Sequence, residues 1–214
     1  MKWQEDLLRD IRTGTSYDDQ DSGAEIPHPS GAHWDWTWDE VTDQNRAYLR
    51  ERFLRVKNNC PAILEIGVNR ETNGEKTSTG ILLANKHPDT IYVGIDIDDK
   101  SSLDNPSSNT FTICGSSMDV EENLEKIRKL GIKEFGFIFI DGWHSINAVL
   151  AEWEYTRMLS PNGIVGFHDT SCHPGPYYFL NNMNTNIWQV EANLCPQDHG
   201  IGFVQRKWVA QRKF

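Results

Sequence analysis

No apolar stretch of this sequence is long enough to cross a bilayer, and the opening Met1-Lys2-Trp3-Gln4-Glu5-Asp6 has no apolar signal core; a soluble, cytoplasmic chain with no membrane partner is expected. Cysteine is scarce. The four present, Cys60, Cys114, Cys172 and Cys195, never fall in a C-x-x-C spacing, so neither a zinc knuckle nor a disulfide framework is supported and reduced thiols are expected. Positive charge is in deficit: 21 Lys and Arg against 31 Asp and Glu give a net charge of −10, which repels phosphate backbones and speaks against nucleic acid as a partner. There is no internal repeat. What remains is 214 residues with 38% hydrophobic content, enough for one α/β domain with a sizeable core. That domain is expected over residues 41–214, behind an arm or lid at 1–40.

The most informative stretch is 135–170. It opens with an uninterrupted apolar run at 135–140, suited to a strand buried on both faces of a parallel sheet, and the run stops at Asp141. The period then changes. Ile146, Val149, Leu150 and Trp153 lie on one helical face, Ser145 is placed to cap it, and Ser160-Pro161-Asn162-Gly163 ends it. A second apolar run, 164–167, closes on His168 and Asp169. In a strand, helix, strand unit the carboxyl ends of parallel strands share one edge, where ligands bind, so Asp141, His144, His168 and Asp169 are expected to converge there.

The arm at 1–40 is polar, but His33-Trp34-Asp35-Trp36-Thr37-Trp38 sets three tryptophans in five positions, either pinning the arm to the core or forming an aromatic lid. Leu49, Phe53 and Val56 predict a helix covering one side of the sheet within 41–57. Residues 62–67 read as the first core strand, closed by Glu65 and Gly67, and Ser78 or Thr79 can cap a helix carrying Ile81 to Ala84. Residues 91–96 form a second strand ending in Asp96, an acid of the kind that nucleoside-binding folds use for ribose hydroxyls. A third strand at 110–114 runs into Gly115-Ser116-Ser117, and Val120, Leu124, Ile127 and Leu130 form the next helical face. Residues 172–178 read as a Pro/Gly loop, and 186–190 and 200–205 as terminal strands.

The recurrence of strand, acid, small residue and helix, with I-D-G-W-H-S followed by L-S-P-N-G-I-V-G-F-H-D, resembles the class I S-adenosylmethionine-dependent methyltransferases. Within them the chain is most similar to the small O-methyltransferases that include macrolide-sugar enzymes and relatives grouped with cephalosporin hydroxylase; the resemblance covers about 62–206. It implies a single Rossmann-like, doubly wound seven-stranded sheet, mostly parallel with an antiparallel last strand and helices on both faces. It also implies S-adenosylmethionine as cofactor and a small-molecule hydroxyl acceptor as partner, and leaves homo-oligomerisation open.

Residue by residue, Glu65 would lie near the cofactor's positively charged methionine portion, Gly67 would allow close backbone approach, Asp96 would accept from the ribose hydroxyls, and Ser116 and Ser117 would lie near the adenine, with Asp141 beside the cofactor. The plainer readings are a strand end for Glu65 and Gly67, a turn for the serines and a cap or surface group for His144. Methyl transfer to a hydroxyl needs the acceptor's proton removed, and a histidine with a pKa of about 6.5 suits that at neutral pH, which makes His144 the candidate general base beside Asp141. Asp141, His168 and Asp169 match the positions at which relatives hold magnesium. His168 stands where they have an acid, which admits manganese, iron or no metal beside Mg²⁺. A methyltransferase-like protein that binds nucleoside or metal without transferring methyl is the alternative. A nicotinamide-dependent oxidoreductase is disfavoured because no G-x-G-x-x-G follows the first strand.

Overall fold

The computed structural model describes residues 42–68, 74–196 and 199–207. The arm at 1–40, with its tryptophan cluster, lies outside the described residues. The strands are β1 Ala62–Ile66, β2 Ile91–Asp96, β3 Thr110–Cys114, β4 Phe135–Ile140, β5 Leu159–His168, β6 Trp188–Leu194 and β7 Ile201–Arg206; the apolar runs of β1 and β4 are buried along their whole length, whereas β3 and β6, at the sheet edges, are only partly covered. They form one seven-stranded sheet in the order β3-β2-β1-β4-β5-β7-β6. β1 to β5 pair in parallel, and β7 runs antiparallel to both β5 and β6. This is the doubly wound, Rossmann-like sheet with an antiparallel last strand that the resemblance implied.

The side-chain period of two divides each strand between two cores. Ile63, Tyr92, Phe137 and Phe139 join Leu49 and Phe53 of α1 (Thr42–Val56) and Ile81 and Leu82 of α2 (Ser78–Asn85). Leu64, Val93, Ile138 and Ile140 face the other way, onto Leu124 and Ile127 of α3 (Val120–Lys129), Val149 of α4 (Ile146–Glu152) and Phe179 of α5 (Pro174–Asn181). Trp153, just past α4, is buried with its ring 5.0 Å from Phe179 and 5.1 Å from Trp188. No helix among the described residues is long and apolar enough to cross a membrane.

Several local expectations need correcting. The cap of α2 is Thr77, whose Oγ1 accepts from the Gly80 amide at 3.0 Å, not Ser78 or Thr79. Helix α4 gives way at Trp153 to a 3-10 segment, Trp153–Met158, and Ser160 to Gly163 lie inside β5, where the pairing with β4 shifts register, so the turn chemistry there marks a bulge and not a loop. Residues 172–178 are largely helical: Pro174 starts α5 at a position that needs no amide donor, and its fixed φ suits the first turn. The sixth strand runs Trp188–Leu194, later than the expected 186–190.

The register sets the site. Ile66 pairs with Ile95 on one side and Ile140 on the other, and Ile140 pairs with Phe167. One residue further on, Gly67, Asp96, Asp141 and His168 therefore stand in a row across four strand ends. Between β1 and β4 the chain changes its winding direction, which is where open α/β sheets leave a crevice.

Candidate active site

Gly67 begins the loop out of β1 at φ +80°, and a Cβ there would stand 1.8 Å from the Asp141 carbonyl oxygen. Only glycine lets the two backbones meet so closely. The contact is tied by the Asp141 amide donating to the Ile66 carbonyl at 2.8 Å, which seats Asp141 at the crevice.

On the β2 side, Asp96 is already oriented. Its Oδ2 accepts from the Val68 amide at 2.8 Å with Lys100 Nζ at 3.5 Å, and its Oδ1 accepts from the Asp98 amide at 2.8 Å. Each carboxylate oxygen keeps a lone pair for a ligand hydroxyl. Glu65 lies beneath the crevice: it is fully buried, accepts from the Tyr92 hydroxyl, and burial pushes its carboxyl up to about 7. Ser116 and Ser117 follow β3. Ser116 Oγ accepts from the Met118 amide at 3.2 Å in a turn, whereas Ser117 Oγ donates to Glu152 Oε1 at 2.6 Å. Glu152, at the end of α4, is fully buried and pushed up by burial to about 8.

The polar centre lies at the ends of β4 and β5. His144 Nε2 is 3.0 Å from Asp169 Oδ2 and 3.7 Å from Asp141 Oδ1, yet makes no aligned hydrogen bond. His168 Nδ1 is 3.2 Å from Asp141 Oδ1 and 3.3 Å from Asp169 Oδ1, with Asn45 of α1 at 3.4 Å from its other nitrogen. All four expected residues converge, and side-chain exposures of 25% for Asp141 and His168 and 20% for His144 leave the centre open to a ligand. Asp169 holds φ +56°, a left-handed conformation that aspartate tolerates better than most residues and that costs local strain.

Burial alone would lower the histidines. The facing carboxylates outweigh it, raising His144 to about 10 and His168 well above its ordinary value. For Asp141 and Asp169 burial would raise the carboxyls, and the two imidazoles overcome it and hold both below the usual range. The ion-free centre is thus two carboxylates facing two held protons. Asp141, His168 and Asp169 offer ligand atoms all within 4.8 Å of one another, so a divalent cation fits there by replacing the proton on His168.

The signs give a stability prediction. His144, Glu65 and Glu152 hold protons more tightly folded than unfolded, so their contributions are present at low pH and are lost as pH rises, from 4.5 through about 7 and 8 for the carboxyls and from 6.5 through about 10 for His144. The lowered Asp141 and Asp169 contribute fully above 3.8. The thermal midpoint of chelator-treated protein should therefore fall between roughly pH 5 and pH 9, and added Mn²⁺ should restore it most at the alkaline end. A midpoint that rises over that range contradicts the assignment.

Two histidines escaped the sequence reading. His173 stacks on His144, with ring centres 4.6 Å apart and planes 19° from parallel. Its place at the head of α5 follows from Gly175, whose amide donates to the His144 carbonyl at 3.0 Å and whose Cβ, if present, would stand 2.4 Å from that oxygen. His199, before β7, has its ring 6.5 Å from that of His168. Spacing in the chain held no signal for either. Only helix start signals at Pro174 would have placed His173 near the site.

No protein-family model matches the chain, and no curated protein sequence matches it. Solved structures do resemble it. MycE, a methyltransferase of the mycinamycin biosynthetic pathway solved with Mg, SAH and mycinamycin VI, aligns over 78% of this chain and 50% of its own, with 20% identity and a TM-score of 0.58. CalS11, a TDP-rhamnose 3'-O-methyltransferase of calicheamicin biosynthesis, aligns over 78% of this chain and 81% of its own, with 13% identity and a TM-score of 0.58. A protein of Clostridium thermocellum named as an rRNA-methylase aligns over 78% of this chain and 97% of its own at 12% identity, with a TM-score of 0.52. The chain spans about half the length of MycE. At these identities the likeness concerns architecture, and the sheet, its strand order and its antiparallel seventh strand give this chain the fold of the class I methyltransferases.

Proposed function

We propose that the protein transfers a methyl group from S-adenosylmethionine to a hydroxyl of a small molecule, assisted by a divalent cation at Asp141, His168 and Asp169. The observation that carries this reading is the meeting of Asp141, His144, His168 and Asp169 at the ends of β4 and β5, beside the glycine-lined crevice between β1 and β4. Bound S-adenosylmethionine would supply an electrophilic methyl group on a sulfonium that departs as a neutral thioether when the acceptor oxygen takes the methyl, and His144 Nε2 would take the hydroxyl proton. When bound, Mg²⁺ or Mn²⁺ would supply Lewis acidity to the acceptor oxygen and share the carboxylate charge that otherwise holds the His144 proton. Asp141 and Asp169 flank His144 Nε2 at 3.7 and 3.0 Å, and the solvent-open side of the centre admits the acceptor. The net charge of −10 favours a small acceptor over RNA.

Asp96 supports the cofactor assignment, since its carboxylate is fixed at the end of β2 with lone pairs to spare. Asp96→Ala should weaken S-adenosylmethionine binding by about 1.5 to 3 kcal/mol. Unchanged affinity by calorimetry would remove Asp96 from the cofactor site.

The function itself is tested by methyl-labelled S-adenosylmethionine with a panel of hydroxylated sugars, phenols and polyketides. Labelled product should form, vanish with EDTA and return with Mg²⁺ or Mn²⁺. Full turnover in chelator would take the cation out of the mechanism, and tight cofactor binding with no product from any acceptor would favour a binding protein.

A further inference from the structure

Asp169 does not present its carboxylate to one set of neighbours. Its Oδ1 lies 3.3 Å from His168 Nδ1 and accepts from the Cys172 thiol at 3.5 Å, whereas its Oδ2 lies 3.0 Å from Nε2 of His144, the imidazole on which His173 stacks. His144, Asp169 and His173 offer one ligand atom each, all within 4.8 Å of one another, just as Asp141, His168 and Asp169 do.

We propose that His144, Asp169 and His173 form a second divalent-cation position, adjoining the first and joined to it by the two oxygens of the Asp169 carboxylate. The inference rests on the proposed first position, with which it shares Asp169. Two positions bridged in this way hold ions about 3.5 to 4 Å apart in other two-metal sites. The donors of the second position are two imidazole nitrogens and one carboxylate oxygen, a set that suits Zn²⁺, Mn²⁺ or Fe²⁺ better than Mg²⁺, which prefers oxygen throughout. Three protein ligands leave coordination positions open.

The framework already holds these donors in place. The His173 amide donates to the Asp169 carbonyl at 3.1 Å, and the Gly175 amide donates to the His144 carbonyl at 3.0 Å. The left-handed turn at Asp169 and the start of α5 are thereby locked against the loop that carries His144. His173 and Asp169 are each 8% exposed, so the donors sit in the interior side of the centre and not on a loose surface. The plainer reading is an ion pair between His144 and Asp169 with the His173 ring stacked on His144. The two readings differ in ion count.

A consequence follows for the reaction. An ion in the second position occupies the Nε2 lone pair of His144, so the first equivalent of cation is compatible with proton acceptance and the second opposes it.

The test is a titration of chelator-treated, full-length protein with Zn²⁺, followed by calorimetry and by counting bound zinc after equilibrium dialysis. Two equivalents are expected for the wild type and one for His173→Phe, which keeps a ring against His144 but removes the nitrogen. One equivalent on the wild type overturns the bridged pair: if His173→Phe keeps it, the first position stands alone, and if His173→Phe loses it, the first position is the one overturned. None overturns both. Two on the wild type and still two on His173→Phe places the second ion elsewhere and also overturns the proposal. Circular dichroism checks the variant's fold, with His173→Leu as the second substitution, and the wild-type count can overturn the proposal without either.

Discussion

Replacing His144 with alanine should lower methyl transfer by about 10²- to 10⁴-fold while S-adenosylmethionine affinity stays within about 1 kcal/mol, because a positioned base acts on the transition state and not on cofactor binding. His144 follows the end of β4 by four residues and Ser145 then caps α4, accepting from the Ala148 amide at 3.2 Å, so the imidazole is held at the mouth of the crevice by a helix start. In the ion-free protein its proton is held up to about 10, against an ordinary value of 6.5. With the carboxylates engaged by a cation, the acid limb of the rate profile should fall between those two values and be lost in the alanine variant. Near-normal turnover in that variant would reduce His144 to a loop residue and leave activation of the hydroxyl to the cation alone. A drop that comes with lost cofactor affinity would point to a collapsed loop.

Gly67→Ala should destabilise the fold by about 2 to 4 kcal/mol in chemical denaturation. Two effects combine. The residue sits at φ +80°, where a Cβ is strained, and that Cβ would overlap the Asp141 backbone at 1.8 Å from the oxygen and 2.5 Å from the carbon, so the end of β4 must move away from β1. Gly131 separates the two. It has φ +82° with nothing within 4 Å of its would-be Cβ, so Gly131→Ala should show the conformational cost alone, about 1 to 2 kcal/mol. Equal losses at the two positions would show that the close approach of the strands contributes nothing.

β4 was legible because burial on both faces writes itself as an unbroken apolar run, and β1 to β4 fall at the expected residues to within one position at their ends, although β3 is only partly covered. Asp96 and Asp141 were legible as the polar residues that close such runs at the sheet edge, whereas Glu65 lies within β1 and is fully buried. Asp141, His144, His168 and Asp169 could therefore be placed together before any coordinates. What escaped depended on contacts between distant segments. His173 reaches the centre only because α5 docks on the His144 loop through Gly175, and the Pro/Gly content that permits this docking reads locally as a turn. Glu152 is buried beneath Gly142 and faces Ser117 across 35 positions of sequence, a pairing that helical periodicity assigns to neither face. Ser160 to Gly163 misled for the opposite reason, since strong turn residues are also those that a bulge inside a strand demands.

The double burial of β4 has a further consequence. A strand with one wet face is held in alignment by its own alternation, because sliding by one residue would expose its apolar half. Phe135–Ile140 carries no such safeguard: slid by one, it would still present apolar side chains to both cores. Its alignment is gauged instead by close approaches: the Asp141 amide on the Ile66 carbonyl and the bare backbone of Gly67 against Asp141 at one end, and at the other Gly136, where a Cβ would stand 2.7 Å from the Cys60 Cα. A single-residue insertion in this strand would thus leave a protein that still collapses and remains largely helical and sheet-like, yet has Asp141 and His144 displaced from His168 and Asp169. In this chain the capacity to fold and the capacity to assemble the centre are separable at the length of one strand.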